Sequence, residues 1–144
     1  MLWMLLIAYV LVLLKYLVLD RMSYRMYADR NYNLYPFNSI MPYLLHKDRY
    51  NFNTWALNLY GNLIMLVPFG ILLPLLFSKL RKTKVFIASL FLFNLGIELF
   101  QYFTGFGSFD VDDLILNSSG ALIAYVILRV LLSIKFMKKF SESM

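Results

Sequence analysis

Cysteine is absent from all 144 residues, which excludes disulfides, thiolate metal sites and cysteine nucleophiles. Histidine occurs once, at His46, in a stretch where a lone imidazole reads as solvated rather than catalytic. Charge is sparse as well. Asp, Glu, Lys and Arg make up 15% of the chain, against roughly 25% in soluble domains. There is no phosphate-binding glycine loop, no H-E-x-x-H pair and no nucleophile elbow, so no motif of those kinds assigns an enzyme class.

Hydrocarbon takes the place of what is missing. Hydrophobic residues form 61% of the chain and the mean hydropathy is +0.66, whereas soluble domains average about 45–50% apolar residues. A globule this small cannot hide that much apolar surface, so lipid must cover it. The net charge of +6 does not indicate nucleic acid. The basic residues flank apolar segments, where anionic headgroups meet them. No internal repeat or soluble linker interrupts the chain, and residues 1–144 read as a single domain.

A hydrocarbon core about 30 Å thick needs about 20 mainly apolar helical residues. Four segments qualify: 2–19, 54–77, 85–103 and 114–134. The expected fold is therefore an all-α membrane protein, a four-helix transmembrane bundle with a long interfacial first loop. Lys15 snorkels from the first helix. That helix reads as retained rather than as a cleaved leader, because no basic residue precedes it and no A-x-A-like site follows. The first loop, 20–53, carries Tyr24, Tyr27, Tyr32, Tyr35, Tyr43 and Tyr50, rings suited to the headgroup zone. Pro36 and Pro42 bracket a candidate interfacial turn. Lys79, Arg81, Lys82 and Lys84 crowd the second connection, and Lys135, Lys138 and Lys139 the tail. Short basic loops stay cytoplasmic, so both termini are expected inside, with the first and third connections outside.

Polar residues within lipid usually face a bundle interior or a cavity. Asn58 and Asn62 share a face of the second helix. Asn94, Glu98 and Gln101 share one on the third. Asp110, Asp112 and Asp113 open the fourth, and Asn117, Gly120 and Ala124 continue one of its faces. Because helix direction alternates, all these groups approach one end of the bundle. Glu98 lies about 8 Å below that end at 1.5 Å per residue. Taken singly, amides serve as helix glue, Asp110 and Asp112 as caps, Gly120 and Ala124 as small packing residues and Pro68-Phe69-Gly70 as a kink. Glu98 is the exception, since an ionisable carboxyl at that depth marks a functional site. Arg129 stands at the other end, so a cationic partner would come from the first loop, from a ligand or from a metal ion.

Three uses of this set stay open. First-loop arginines and the amide–carboxylate cluster would bind a lipid headgroup or a lipid-linked precursor at the outer leaflet. Alternatively, Asp110, Asp113 and Glu98 would hold a hard cation such as Mg²⁺ for chemistry on a lipid phosphate. In the third use, Glu98 would titrate in lipid or proton transport. No cofactor, metal or oligomeric state is assigned. The expected partners are membrane lipids or a lipid-linked precursor, and not nucleic acid.

Four stretches, Asn33-Leu34-Tyr35-Pro36-Phe37, NLIMLVPFGILL from Asn62, ELFQ from Glu98 and DVDDLILNSSG from Asp110, together resemble the VanZ-like family in order and separation. They match its N-L-x-P-F loop, its N-x-x-x-F-x-P-F-G helix, its E-x-x-Q and its D-x-x-D-x-x-x-N-x-x-G. Leu66 stands where the family has an aromatic. The resemblance implies a bacterial plasma-membrane protein with a role in resistance to teicoplanin-type lipoglycopeptides. On it, Asn58, Asn62, Glu98, Gln101, Asp110, Asp113 and Asn117 form the candidate binding site.

Overall fold

The computed structural model describes residues 1–19 and 31–141. Among the described residues three helices are long and apolar enough to cross a membrane: Phe52–Leu76, Thr83–Thr104 and Val111–Ile134. Each overlaps one of the expected spans, and together they make this an all-α membrane protein. The N-terminal helix is apolar over a shorter stretch, Leu2–Val18.

The elements run α1 (Leu2–Leu14), continued by a π-helical turn over Lys15–Leu19, then β1 (Tyr32–Asn33) and α2 (Ile40–Leu45). Next come α3 (Phe52–Ala56), a π-helical turn over Leu57–Gly61, α4 (Asn62–Met65) and α5 (Val67–Leu76), which together form the second span. After a 3₁₀ turn at Ser78–Arg81 follow α6 (Thr83–Thr104), β2 (Phe109–Asp110) and α7 (Val111–Ser141). At 1.5 Å per residue α7 is about 46 Å long, longer than a hydrocarbon core of about 30 Å, and its candidate span ends at Ile134.

Local chemistry sets the boundaries. Asn51 caps α3, its side-chain oxygen accepting from the Thr54 N–H at 2.8 Å. The α6 helix stops at Gly105, whose φ of 72° is cheap only for glycine. There the Phe106 N–H reaches the Gln101 carbonyl at 3.0 Å and the Gly105 N–H reaches that of Tyr102 at 3.4 Å, closing a Schellman motif. The expected kink at Pro68-Phe69-Gly70 falls earlier, at Leu66 (φ −106°, ψ 6°). Pro68 then sits in the first turn of α5, where its missing N–H costs nothing. Pro42, expected to bound an interfacial turn, lies inside the first turn of α2 for the same reason.

The bundle centre is where α4 and α5 meet α7. Lipid tails are as apolar as side chains, so close backbone approach rather than water exclusion holds such helices together. Gly70 and Gly120 permit it. A Cβ at Gly70 would lie 2.2 Å from the Ala121 carbonyl oxygen, and one at Gly120 would lie 1.7 Å from that of Leu63. The small-residue reading of Gly120 and Ala124 holds, and Gly70 joins it as the facing partner. At the far end Phe86 stacks on Tyr125 at 4.2 Å. Arg129 donates to the Arg81 carbonyl at 2.8 Å, which puts it at the second connection, opposite Glu98.

Candidate functional site

Four segments distant in sequence converge at the other end of the bundle. The short strands β1 and β2 pair in parallel, Tyr32 with Phe109 and Asn33 with Asp110, so the first loop and the third connection share one side. Asp110 immediately precedes α7, and its Oδ1 accepts from the Asp112 N–H at 2.8 Å, the expected helix cap. The same carboxylate accepts from Asn33 Nδ2 at 2.9 Å and from the Ser39 hydroxyl at 2.5 Å.

Asp112 is not a cap. Only 1% exposed, it turns away from its own helix and holds the first loop. Its Oδ1 accepts from the Phe37 N–H at 2.5 Å, and its Oδ2 from the N–H groups of Ser39 and Ile40 at 2.6 and 3.0 Å. Phe37 adopts φ 67°, a left-handed conformation uncommon outside glycine, and its amide thereby faces the carboxylate. Asn33 completes the turn: its Oδ1 accepts from the Tyr35 N–H and from Asn38 Nδ2. Its place in the first turn of α7 explains an acidic residue without reference to a distant loop, so the expectation of a cap is corrected by the loop amides that the carboxylate holds.

Deeper in the bundle, Asn62 Nδ2 donates to Asp113 Oδ1, joining the second span to α7. Glu98, 1% exposed, accepts on Oε2 from the Asp110 N–H at 3.0 Å, which ties α6 to the start of α7. Asn94 Nδ2 donates to the Leu114 carbonyl and to Ser118 Oγ, both at 3.0 Å, and Asn94 Oδ1 accepts from Asn117 Nδ2 at 3.2 Å. Asn117 is fully buried, and its Oδ1 has no hydrogen-bond partner among the described residues. A buried acceptor left without a donor is uncommon and costly.

Of the seven sequence-predicted site residues, Asn62, Glu98, Asp110, Asp113 and Asn117 thus belong to this hydrogen-bonded region. Gln101 is buried one turn beyond Glu98, and its carbonyl is held by Phe106. Asn58 stays apart, half-buried, with its amide spent on the Thr54 carbonyl of its own helix at 2.7 Å. Sequence reasoning missed Asn33, Ser39 and Asp112 as binding partners. The NLYPF stretch was the available signal, since a motif that combines Asn and Pro in a loop usually fixes a turn.

The loop's return is held by aromatic contacts. Trp55 Nε1 donates to the Tyr43 carbonyl at 2.9 Å, and Lys47 sits 4.2 Å over the Trp55 ring. Burial, then Tyr50, Asp113 and Asp110, push the Tyr43 phenol above its usual pKa. His46 is exposed, as expected. Arg21, Arg25, Arg30, Tyr24 and Tyr27, invoked for anion binding and the headgroup zone, lie outside the described residues.

Among the described residues no three His, Cys, Asp or Glu side chains are grouped to hold a metal ion. Both Asp110 oxygens accept from Asn33, Ser39 and the Asp112 N–H, while Asp113 Oδ1 accepts from Asn62 and Glu98 Oε2 from the Asp110 N–H. That donor geometry does not favour the metal-dependent enzyme.

Apolar spans joined at one end by a buried polar assembly define a helical integral membrane protein. Within that class the chain belongs to the VanZ/LLP1 family, whose model matches residues 1–132. It is 29% identical over 123 residues to Protein VanZ of Enterococcus faecium, covering 82% of this chain and 68% of that protein. No solved structure matches it. All four stretches that carry the resemblance contribute to the polar assembly.

Proposed function

We propose that this protein is a multi-pass protein of the bacterial plasma membrane that lowers susceptibility to teicoplanin-type lipoglycopeptides. It does so by binding or altering an envelope lipid, or a lipid-linked cell-wall precursor, at the outer leaflet. Residues 1–144 act as one domain of four spans with cytoplasmic termini. The helix Leu2–Val18 is the fourth span, about 25 Å long, and its Tyr9 hydroxyl reaches the Met65 carbonyl. The basic second connection supports the orientation, and membership of the VanZ/LLP1 family supports the link to glycopeptides.

The observation that carries the reading is the polar assembly at one membrane face, with Asn62, Asp113, Glu98 and Asn117 below a loop that Asp112 holds down. Asn117 Oδ1, buried beside Asn94 one turn deeper than Glu98 and without a partner among the described residues, would accept from a ligand donor that reaches that depth. For structural glue alone, an orphaned acceptor is a defect; for a recognition site it is a position left for the ligand.

The test is the growth of cells carrying Glu98→Gln or Asp113→Asn in teicoplanin, at equal membrane levels of protein. Both variants are expected to return susceptibility to that of cells lacking the protein. Undiminished resistance in both would refute the site. Lipid analysis of the same membranes separates the two modes, because an altered headgroup species indicates chemistry and an unaltered profile indicates binding.

A further inference from the structure

A groove of about 810 Å³ lies outside the polar assembly. The α1 helix packs on α5, whereas α6 packs on α7, and the groove is the gap between these pairs, floored by Phe69. It extends from Leu6 and Phe77 at the end near the second connection to Val18 and Phe100 toward the polar end. Along α1 that is about 18 Å at 1.5 Å per residue, close to one leaflet of a hydrocarbon core about 30 Å thick. Ser89 is the only polar side chain among its lining residues.

Gly96 lines this groove, and its position in the middle of α6 has no explanation in packing. Glycine destabilises a helix interior relative to alanine. At Gly70 and Gly120 the neighbouring backbone leaves no room for a Cβ, but among the described residues a Cβ on Gly96 would meet nothing within 4 Å. Its missing side chain therefore widens the groove and serves no contact within the bundle. An empty groove of this size would forfeit dispersion contacts along its walls, and a lining whose one polar side chain is Ser89 offers water too few partners, since a buried water needs about two to four. Hydrocarbon must fill it, and hydrocarbon of the bilayer adjoins it.

We propose that the groove holds one acyl chain of a membrane phospholipid, and that Gly96 sets its width. Because lipid tails and apolar side chains are equally at home in the bilayer, the selectivity arises from packing against a concave wall and not from water exclusion. The proposal deepens the lipid-binding reading above and rests on it for the ligand class. Groove occupancy is measured on purified protein and resistance by growth, so the two fail separately.

The experiment places the full chain in nanodiscs of phosphatidylglycerol that carries a mid-chain diazirine, irradiates it and maps the adducts by mass spectrometry. Adducts on the groove residues Leu13, Leu90 and Phe93 should exceed those on Val126 and Val130, exposed on α7, by about tenfold, as an affinity step of that size would give. Gly96→Phe should remove that excess and leave the α7 adducts unchanged, while Gly96→Ala keeps it. Ser89→Phe gives the same reading should Gly96→Phe fail to assemble. Equal labelling of groove and α7 face would overturn the proposal, as would a groove excess that survives both fillings. A dimer in native mass spectrometry that dissociates on Gly96→Phe would assign the groove to a second copy of the chain and overturn it too.

Discussion

Replacing Asp112 by asparagine tests whether the first loop is held by one carboxylate. The wild-type side chain offers two acceptor oxygens to three backbone N–H groups, at 2.5, 2.6 and 3.0 Å. Asparagine keeps the shape but turns one oxygen into a donor. With its oxygen facing Ser39 and Ile40, it loses the bond to Phe37 and sets two donors against each other. The remaining bonds also lose their charge. One lost charge-assisted bond is worth about 1.5–3 kcal/mol, part of it recovered when the freed amide meets water. The expected cost is about 1–3 kcal/mol of loop docking, roughly a 5- to 150-fold change in the opening equilibrium. Amide hydrogen exchange reads that equilibrium locally. Peptides covering residues 33–45 should exchange faster by that factor in detergent or nanodiscs, and peptides from α6 should not change. Unchanged exchange over 33–45 would refute the anchoring role. An equal rise across α6 would make Asp112 a contributor to global stability instead.

The glycines should separate by environment. Gly120→Ala drives a Cβ into the Leu63 carbonyl and should destabilise the assembled bundle by about 1–3 kcal/mol or more, as overpacking does, whereas Gly96→Ala should gain about 0.5–1 kcal/mol of helix stability; thermal unfolding in one detergent compares them. The Tyr43 phenol is raised above its ordinary value of about 10. Its contribution to loop docking is thus fully present below about pH 10 and is lost as pH rises through the higher folded value. A phenolate absorbance titration of the wild type minus Tyr43→Phe should show that late-titrating ring, and a difference centred at or below pH 10 would contradict it. Asn94→Ala removes bonds to Leu114, Ser118 and Asn117 and should cost about 2–6 kcal/mol, taking about 0.6–2 kcal/mol for each intramembrane contact. A midpoint of unfolding unmoved by this change would show that the amide pair holds nothing together.

Membrane character, the gathering of polar groups at one end and spans at 54–77, 85–103 and 114–134, which overlap Phe52–Leu76, Thr83–Thr104 and Val111–Ile134, were determined by the sequence alone, and the span expected at 2–19 meets the shorter apolar helix Leu2–Val18. The physical reason is local. Hydropathy over twenty residues fixes a span, helical periodicity puts Asn94 and Glu98 on one face, and alternating direction sets their common end. The family was legible because its motifs are short runs in fixed order. What touches what was not legible. Asp112 looked like a helix cap until tertiary structure set three loop amides against it, and Asn58 looked equivalent to Asn62 until only one of them met Asp113. The significance of the glycines was likewise tertiary, since the sequence does not distinguish Gly120, pressed against a carbonyl, from Gly96, facing open space. Hydrogen-bond partners and close approaches depend on how helices far apart in sequence are rotated and offset against one another. In a membrane, where hydrophobicity does not select that arrangement, such contacts decide it: Asp112 holds the first loop, Asn62 ties the second span to Asp113, and Asn117 Oδ1 has no partner among the described residues.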